Sequence, residues 1–236
     1  MIKGKLFGIG VGPGDPELLT FKAVETIRRC EAIAVPEPDG AEKTAYTIVE
    51  KYLDGKSLIP CGFSMQRDEK KRIEQRREIG CRICGVLESG RSVGFITLGD
   101  PMVYSTFSYV LEDAVSKGFE AETIPGITSF SAAAAALNLP LCEGREPLHI
   151  LPAGEEADIE QWLDLPGTKV FMKSGRNVDP VLNTLRQCGL GDQTRIVVRC
   201  TMEGQRIYDT IDRLDRAGEE LPLSYFSIII VKEKQT

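Results

Sequence analysis

Residues 6–20 read LFGIGVGPGDPELLT, and the fold is decided here. LFGIGV (6–11) carries only apolar residues and glycines, the pattern of a strand buried on both faces. Asp15 and Pro16 then form a cap and first-turn pair, which predicts a helix running to about Arg29. A buried strand that feeds a glycine-rich turn and then a helix is the opening unit of a parallel sheet covered by helices.

The alternation continues outward from that unit. AIAV (32–35), SLIP (57–60) and SVGFITL (92–98) predict strands. TAYTIVEKYL (44–53), the charged segment 66–89 and TFSYVLEDAVSKG (106–118) predict the helices between them. AETI (121–124) reads as the first strand of a second half, followed by a small-residue helix over 129–137. Further strands are expected near 148–151, 168–172, 195–199 and 225–231, with helices near 156–164, 178–188 and 208–216. The chain of 236 residues accommodates two α/β domains, expected at 1–120 and 121–236. A cleft between two such domains is the usual place for a small-molecule site.

Composition removes several classes of function. With 29 basic and 35 acidic side chains the net charge is −6, which argues against a duplex nucleic-acid partner. The longest weakly polar stretch, Ala132 to Leu141, contains Asn138 and Pro140 and is far too short for a membrane span. Glycines and Asp15 interrupt the apolar residues at the start, so no signal peptide is expected and a cytoplasmic location is. The seven cysteines are scattered and read as reduced thiols; Cys81 and Cys84 form a CxxC inside a helical segment with no second pair to complete a zinc site. A single histidine, His149, excludes chemistry that needs a histidine-rich metal centre.

Ligands of open parallel sheets bind beyond the carboxyl ends of strands, so the strand-end loops carry the functional information. The first loop fails the dinucleotide fingerprint, because its third glycine position is Pro13 counted from Gly8 and Asp15 counted from Gly10. It also lacks the Gly-Lys-Ser/Thr of a Walker loop, and both failures disfavour a phosphate-bearing cofactor. Yet four glycines and a proline crowd residues 8–14, where a backbone without side chains admits a ligand closely. The loop TLGDPMVYST (97–106) exposes backbone at Gly99 and offers the Asp100 carboxylate, and PGITSFSAAAA (125–135) opens a close-packing helix behind Thr128 and Ser129.

GVGPGDPELLT, GDPMVYST and PGITSFSAAAA, in this order, resemble the tetrapyrrole (corrin/porphyrin) methyltransferase family. With GFSMQRD (62–68) added, the set is most similar to the precorrin-2 and cobalt-factor II C-20 methyltransferases of cobalamin biosynthesis. The resemblance implies an N-terminal domain with a parallel sheet, a C-terminal domain with a mixed sheet, and S-adenosylmethionine held in the cleft between them. It implies donor contacts from Pro13, from Leu98, Gly99, Asp100 and Val103, from Thr128 and Ser129, and from Met172. It extends to Cys200, where relatives often carry glycine and backbone groups would serve. It also implies a homodimer, a tetrapyrrole acceptor and no protein-bound metal.

The chemistry suits the residues. Methyl transfer from a sulfonium is an in-line displacement that needs alignment more than acid–base groups. A proton must leave the acceptor carbon, and Tyr104 is the candidate to take it. The acceptor's rim of carboxylates calls for basic side chains. QRDEKKRIEQRRE (66–78) supplies several, interleaved with acids as a solvated helix face would have them, and Arg67 is the one expected to meet the rim. The alternatives are another methyltransferase of the superfamily, at a different ring position or a diphthine synthase, and a non-catalytic protein that binds donor or tetrapyrrole.

Overall fold

The computed structural model describes residues 3–38, 44–63, 69–154, 157–174, 178–216 and 226–232. The chain divides into two compact units, Met1–Thr128 and Ser129–Thr236.

The first unit is a five-stranded parallel sheet in the order β3-β2-β4-β1-β5, formed by β1 (Leu6–Gly10), β2 (Ala32–Pro38), β3 (Ser57–Phe63), β4 (Val93–Thr97) and β5 (Ala121–Ile124). Helices cover both faces: α1 (Phe21–Arg29) and α2 (Thr44–Val49) one, α3 (Glu69–Glu88) and α4 (Phe107–Ser116) the other. Alternation along β1 assigns its side chains to the two layers. Leu6 joins the cluster built with Ile83, Leu87 and Phe107, while Ile9 joins Ile27, Ile33 and Ile48. Gly8 has no side chain because the Phe107 ring occupies that space; a Cβ there would stand 2.2 Å from the ring.

Several expected boundaries move. Asp15 caps only the short helical turn Pro16–Leu18, accepting the Glu17 N–H at 2.8 Å. The backbone is extended at Leu19 and Thr20, and α1 starts afresh with Thr20 as its cap, accepting the Ala23 N–H at 3.1 Å. Two capping side chains five residues apart thus split what the sequence suggested as one helix. The strand expected at 57–60 runs on to Phe63, because seven consecutive residues find parallel partners on β2. AETI closes the first sheet against β1 instead of opening the second unit, so the division falls after Thr128 rather than at 120.

The second unit carries a mixed sheet in the order β6-β7-β10-β8-β9. Its elements are α5 (Ser129–Ala136), β6 (Leu148–Pro152), α6 (Ile159–Leu163), β7 (Thr168–Met172), α7 (Val178–Gln187), β8 (Thr194–Val198), β9 (Arg206–Tyr208), α8 (Ile211–Arg216) and β10 (Ser227–Val231). Only β6 and β7 are parallel neighbours; β10 runs against both β7 and β8, and β9 against β8. The three-residue β9 is too short to show periodicity, and the helix expected from 208 begins at Ile211. Val181, Leu182 and Leu185 on α7 pack with Phe171, Ile196 and Ile229 from the sheet. Lys232, past the end of β10, donates to the Pro140 carbonyl at 2.6 Å and pairs with Glu146 at 3.3 Å, fixing the chain between α5 and β6.

At the β5 edge Glu122 accepts from Lys22 at 2.7 Å and from Lys5 at 3.0 Å, and these bonds hold its carboxyl down to about 2. The folded chain therefore takes up this proton later than the unfolded chain does. The stabilisation is complete above the ordinary value of 4.5 and is lost as the pH falls toward about 2. Urea unfolding of the wild type and Glu122→Gln should show a small stability difference that closes over that interval.

Candidate functional site

The carboxyl ends of β1, β4 and β5 lie side by side, because β1 is flanked by the other two in parallel register. The three loops that leave them meet backbone to backbone. A Cβ on Gly126 would lie 2.2 Å from the Gly99 carbonyl oxygen and 2.8 Å from Cα of Gly10; one on Gly10 would lie 2.5 Å from the Gly126 nitrogen. No larger residue fits at either position without moving main chain. Gly12 and Gly99 exchange both hydrogen bonds of a small antiparallel bridge, with Gly99 N–H donating to the Gly12 carbonyl at 2.7 Å and the reverse bond at 3.3 Å. Both glycines are left-handed, with φ of +78° and +73°, a conformation that favours glycine.

Asp100 ties two of these loops together. Its Oδ1 accepts the Met102 N–H at 2.8 Å, turning its own loop, and its Oδ2 accepts the Gly126 N–H at 3.0 Å from the loop after β5. The Val103 N–H closes the turn onto the Asp100 carbonyl at 3.3 Å. Ser105 steadies the next step: its Oγ lies 3.3 Å from Thr97 Oγ1 and accepts the Phe107 N–H at 3.0 Å. Between these two anchors Tyr104 is held left-handed at φ +48°, a conformation uncommon for a residue with a side chain. Its ring is 45% exposed, so the loop presents it outward. Partial burial nevertheless pushes its phenol up.

The first unit therefore brings together Pro13, Leu98, Gly99, Asp100, Val103 and Tyr104 on adjacent strand ends, with Thr128 two residues beyond Gly126. Pro13 and Gly99 are buried, while Leu98 and Val103 are half-buried. The other expected residues belong to the second unit. Ser129 is the first residue of α5, Met172 the last of β7, and Cys200 follows β8 by two. Strands β7 and β8 flank β10 and run the same way, so Met172 and Cys200 stand on one edge of the mixed sheet. Three residues there are left-handed without being glycine: Lys173, Arg199 and Thr201. Burial pushes the Cys200 thiol up to about 11, so it behaves as a neutral apolar group. Arg67 lies outside the described residues.

Sequence reasoning identified the glycine-bearing loops but not the contact of Gly10 with Gly126, or the partner of Asp100. The excess of glycine in residues 8–14 and the Pro125-Gly126 turn were the available signals; their meeting depends on β5 pairing with β1. On α3, Cys84 is buried beside Asp113, at 3.7 Å from its Oδ2, whereas Cys81 is exposed. No group of three metal-ligating side chains occurs among the described residues.

Comparison with known proteins agrees with this architecture. Residues 5–215 match the model of the Tetrapyrrole (Corrin/Porphyrin) Methylases, and the chain belongs to that family. A Methanocaldococcus jannaschii protein named probable cobalt-precorrin-2 C(20)-methyltransferase is 38% identical over 97% of this chain and 96% of its own. The cobalt-precorrin-2 C(20)-methyltransferase of Salmonella typhimurium is 30% identical over 99% and 98%. Among solved structures, uroporphyrin-III C-methyltransferase from Thermus thermophilus, in complex with S-adenosylhomocysteine, superposes with a TM-score of 0.71 at 20% identity, covering 98% of each chain. A cobalt precorrin-4 methyltransferase gives 0.74 at 20% identity, covering 97% of this chain and 94% of that one. These two bear on the fold.

Two outcomes follow from the packing. Gly126→Ala should lower stability by about 1–3 kcal/mol in chemical denaturation, since the new methyl meets backbone on two sides. Thiol titration of the native protein near pH 8 should give a fast class from Cys81, Cys142 and Cys188, and a slow class from Cys30, Cys61, Cys84 and Cys200. Burial, which pushes Cys30 up to about 12, places that residue in the slow class.

Proposed function

We propose that this protein transfers the methyl group of S-adenosylmethionine to C-20 of precorrin-2 or its cobalt-bearing counterpart, a step of cobalamin biosynthesis. The observation that carries the reading is 38% identity along almost the whole chain to a relative named for that reaction, and that name favours the cobalt-bearing ring. The glycine platform supports the donor half: three backbones close on one another at adjacent strand ends, the place where ligands of parallel sheets bind. S-adenosylmethionine supplies an electrophilic methyl on a sulfonium, and the tetrapyrrole carbon supplies the electrons and gives up a proton.

The chain's own contribution is placement. Pro13, Leu98, Gly99, Asp100, Val103 and Thr128 form the donor assignment of the first unit, and Ser129, Met172 and Cys200 that of the second. Holding two reactants in line is worth about 7–11 kcal/mol of barrier in favourable systems, so loop geometry can supply much of the acceleration. Tyr104, exposed on the loop after β4, is assigned to the proton that leaves the acceptor carbon. Arg67 is assigned to the acceptor's carboxylate rim. The same reading takes the protein as a homodimer acting in the cytoplasm.

Anaerobic incubation with S-adenosylmethionine and either metal-free precorrin-2 or the cobalt-bearing ring tests this directly. One added methyl by mass spectrometry, placed at C-20 by NMR, is the expected product. A methyl at another ring position, or none on either acceptor, would overturn the assignment.

A further inference from the structure

Two aspartates lie in the loops that leave β1 and β4, and their surroundings differ. Asp15 accepts from Glu17, within its own turn. Asp100 bridges two loops, since its Oδ1 accepts the Met102 N–H at 2.8 Å and its Oδ2 the Gly126 N–H at 3.0 Å, across 26 positions of sequence. The Gly126 nitrogen is also the atom against which Gly10 packs most closely. The Asp100 carboxylate therefore sits on the contact that joins all three strand ends, and each of its oxygens already meets a backbone donor. Two such bonds, one to each loop, fix where the carboxylate stands.

We propose that Asp100 serves the methyl donor as a positioning residue. Its carboxylate fixes the loops after β4 and β5 in the arrangement that receives the donor, and its charge is engaged by the two N–H groups instead of the donor's sulfonium. The proposal rests on the donor reading given above. It assigns to geometry what the residue type alone would suggest is a charge–charge contact.

S-adenosylmethionine, positive at sulfur, and S-adenosylhomocysteine, neutral there, separate the two roles in equilibrium binding. Asp100→Asn removes the charge and turns an amide NH2 toward one of the backbone donors. Asp100→Glu keeps the charge but displaces the carboxylate by a methylene. Both variants should bind both ligands about 10-fold more weakly, the scale of a backbone donor left without its partner. The ratio of the two dissociation constants should stay that of the unmodified protein. A selective loss of S-adenosylmethionine in Asp100→Asn, with Asp100→Glu unaffected, would overturn the proposal in favour of a direct charge contact. Unchanged affinities alongside a lowered Tm would overturn it in favour of a purely structural bond.

Amide hydrogen exchange in the unmodified, unliganded protein gives a reading that needs no variant. The Gly126 and Met102 amides should be protected, and exchange at the rate of an open loop would overturn the proposal. Failure of the unmodified protein to bind either ligand while both amides are protected would refute the donor reading itself, and the positioning role with it.

Discussion

The first unit depends on a close approach of three backbones. Where β1, β4 and β5 end, Gly10, Gly99 and Gly126 pack against one another at distances that a Cβ on Gly10 or Gly126 would violate. Parallel strands stand a fixed distance apart, and loops leaving adjacent strands on the same edge must diverge, stack or interlock. Here they interlock: the Gly12–Gly99 bridge joins the loops after β1 and β4, and Asp100 joins the loops after β4 and β5. The result is a surface made of main chain, held by hydrogen bonds and steric fit.

This construction offers little to a phosphate. A nucleotide phosphate is commonly met by a helix N-terminus and a lysine. The helical turn after β1 instead carries Asp15 at its cap and Glu17 in its first turn, where an approaching anion would be repelled. Tyr104 shows how firmly the second loop is set. Its left-handed backbone is an unfavourable state for a residue with a side chain, and it is bounded by the Asp100–Val103 turn on one side and the Ser105 hydroxyl bonds on the other. The second unit concentrates similar backbone strain at Lys173, Arg199 and Thr201, on the sheet edge that carries Met172 and Cys200.

Much of this was legible in the residues, and the failures have physical causes. Strand and helix identities followed from hydrophobic runs and periodicity, and the unbroken apolar run of β1 predicted a two-faced burial that Leu6 and Ile9 display. Local competition was misread once, where Thr20 starts a new helix that Asp15 and Pro16 alone would not have suggested. AETI was read as a strand, but its partner could not be, because pairing with β1 joins residues more than a hundred positions apart. The CxxC gave no hint that Cys84 turns inward beside Asp113 while Cys81 faces solvent; helix phase against α4 decides that.

The sequence by itself determined the class of fold and the family, because those depend on local patterns: apolar runs, caps, glycine spacing and three motifs in order. It also fixed the absence of a histidine-rich centre and the acidic balance. Only the tertiary structure decided which backbones touch, which sheet β5 completes and what Asp100 holds. Those facts depend on contacts between segments far apart in the chain. A residue's type states what bonds it can make, and the packing of strands around it settles which of them it does make.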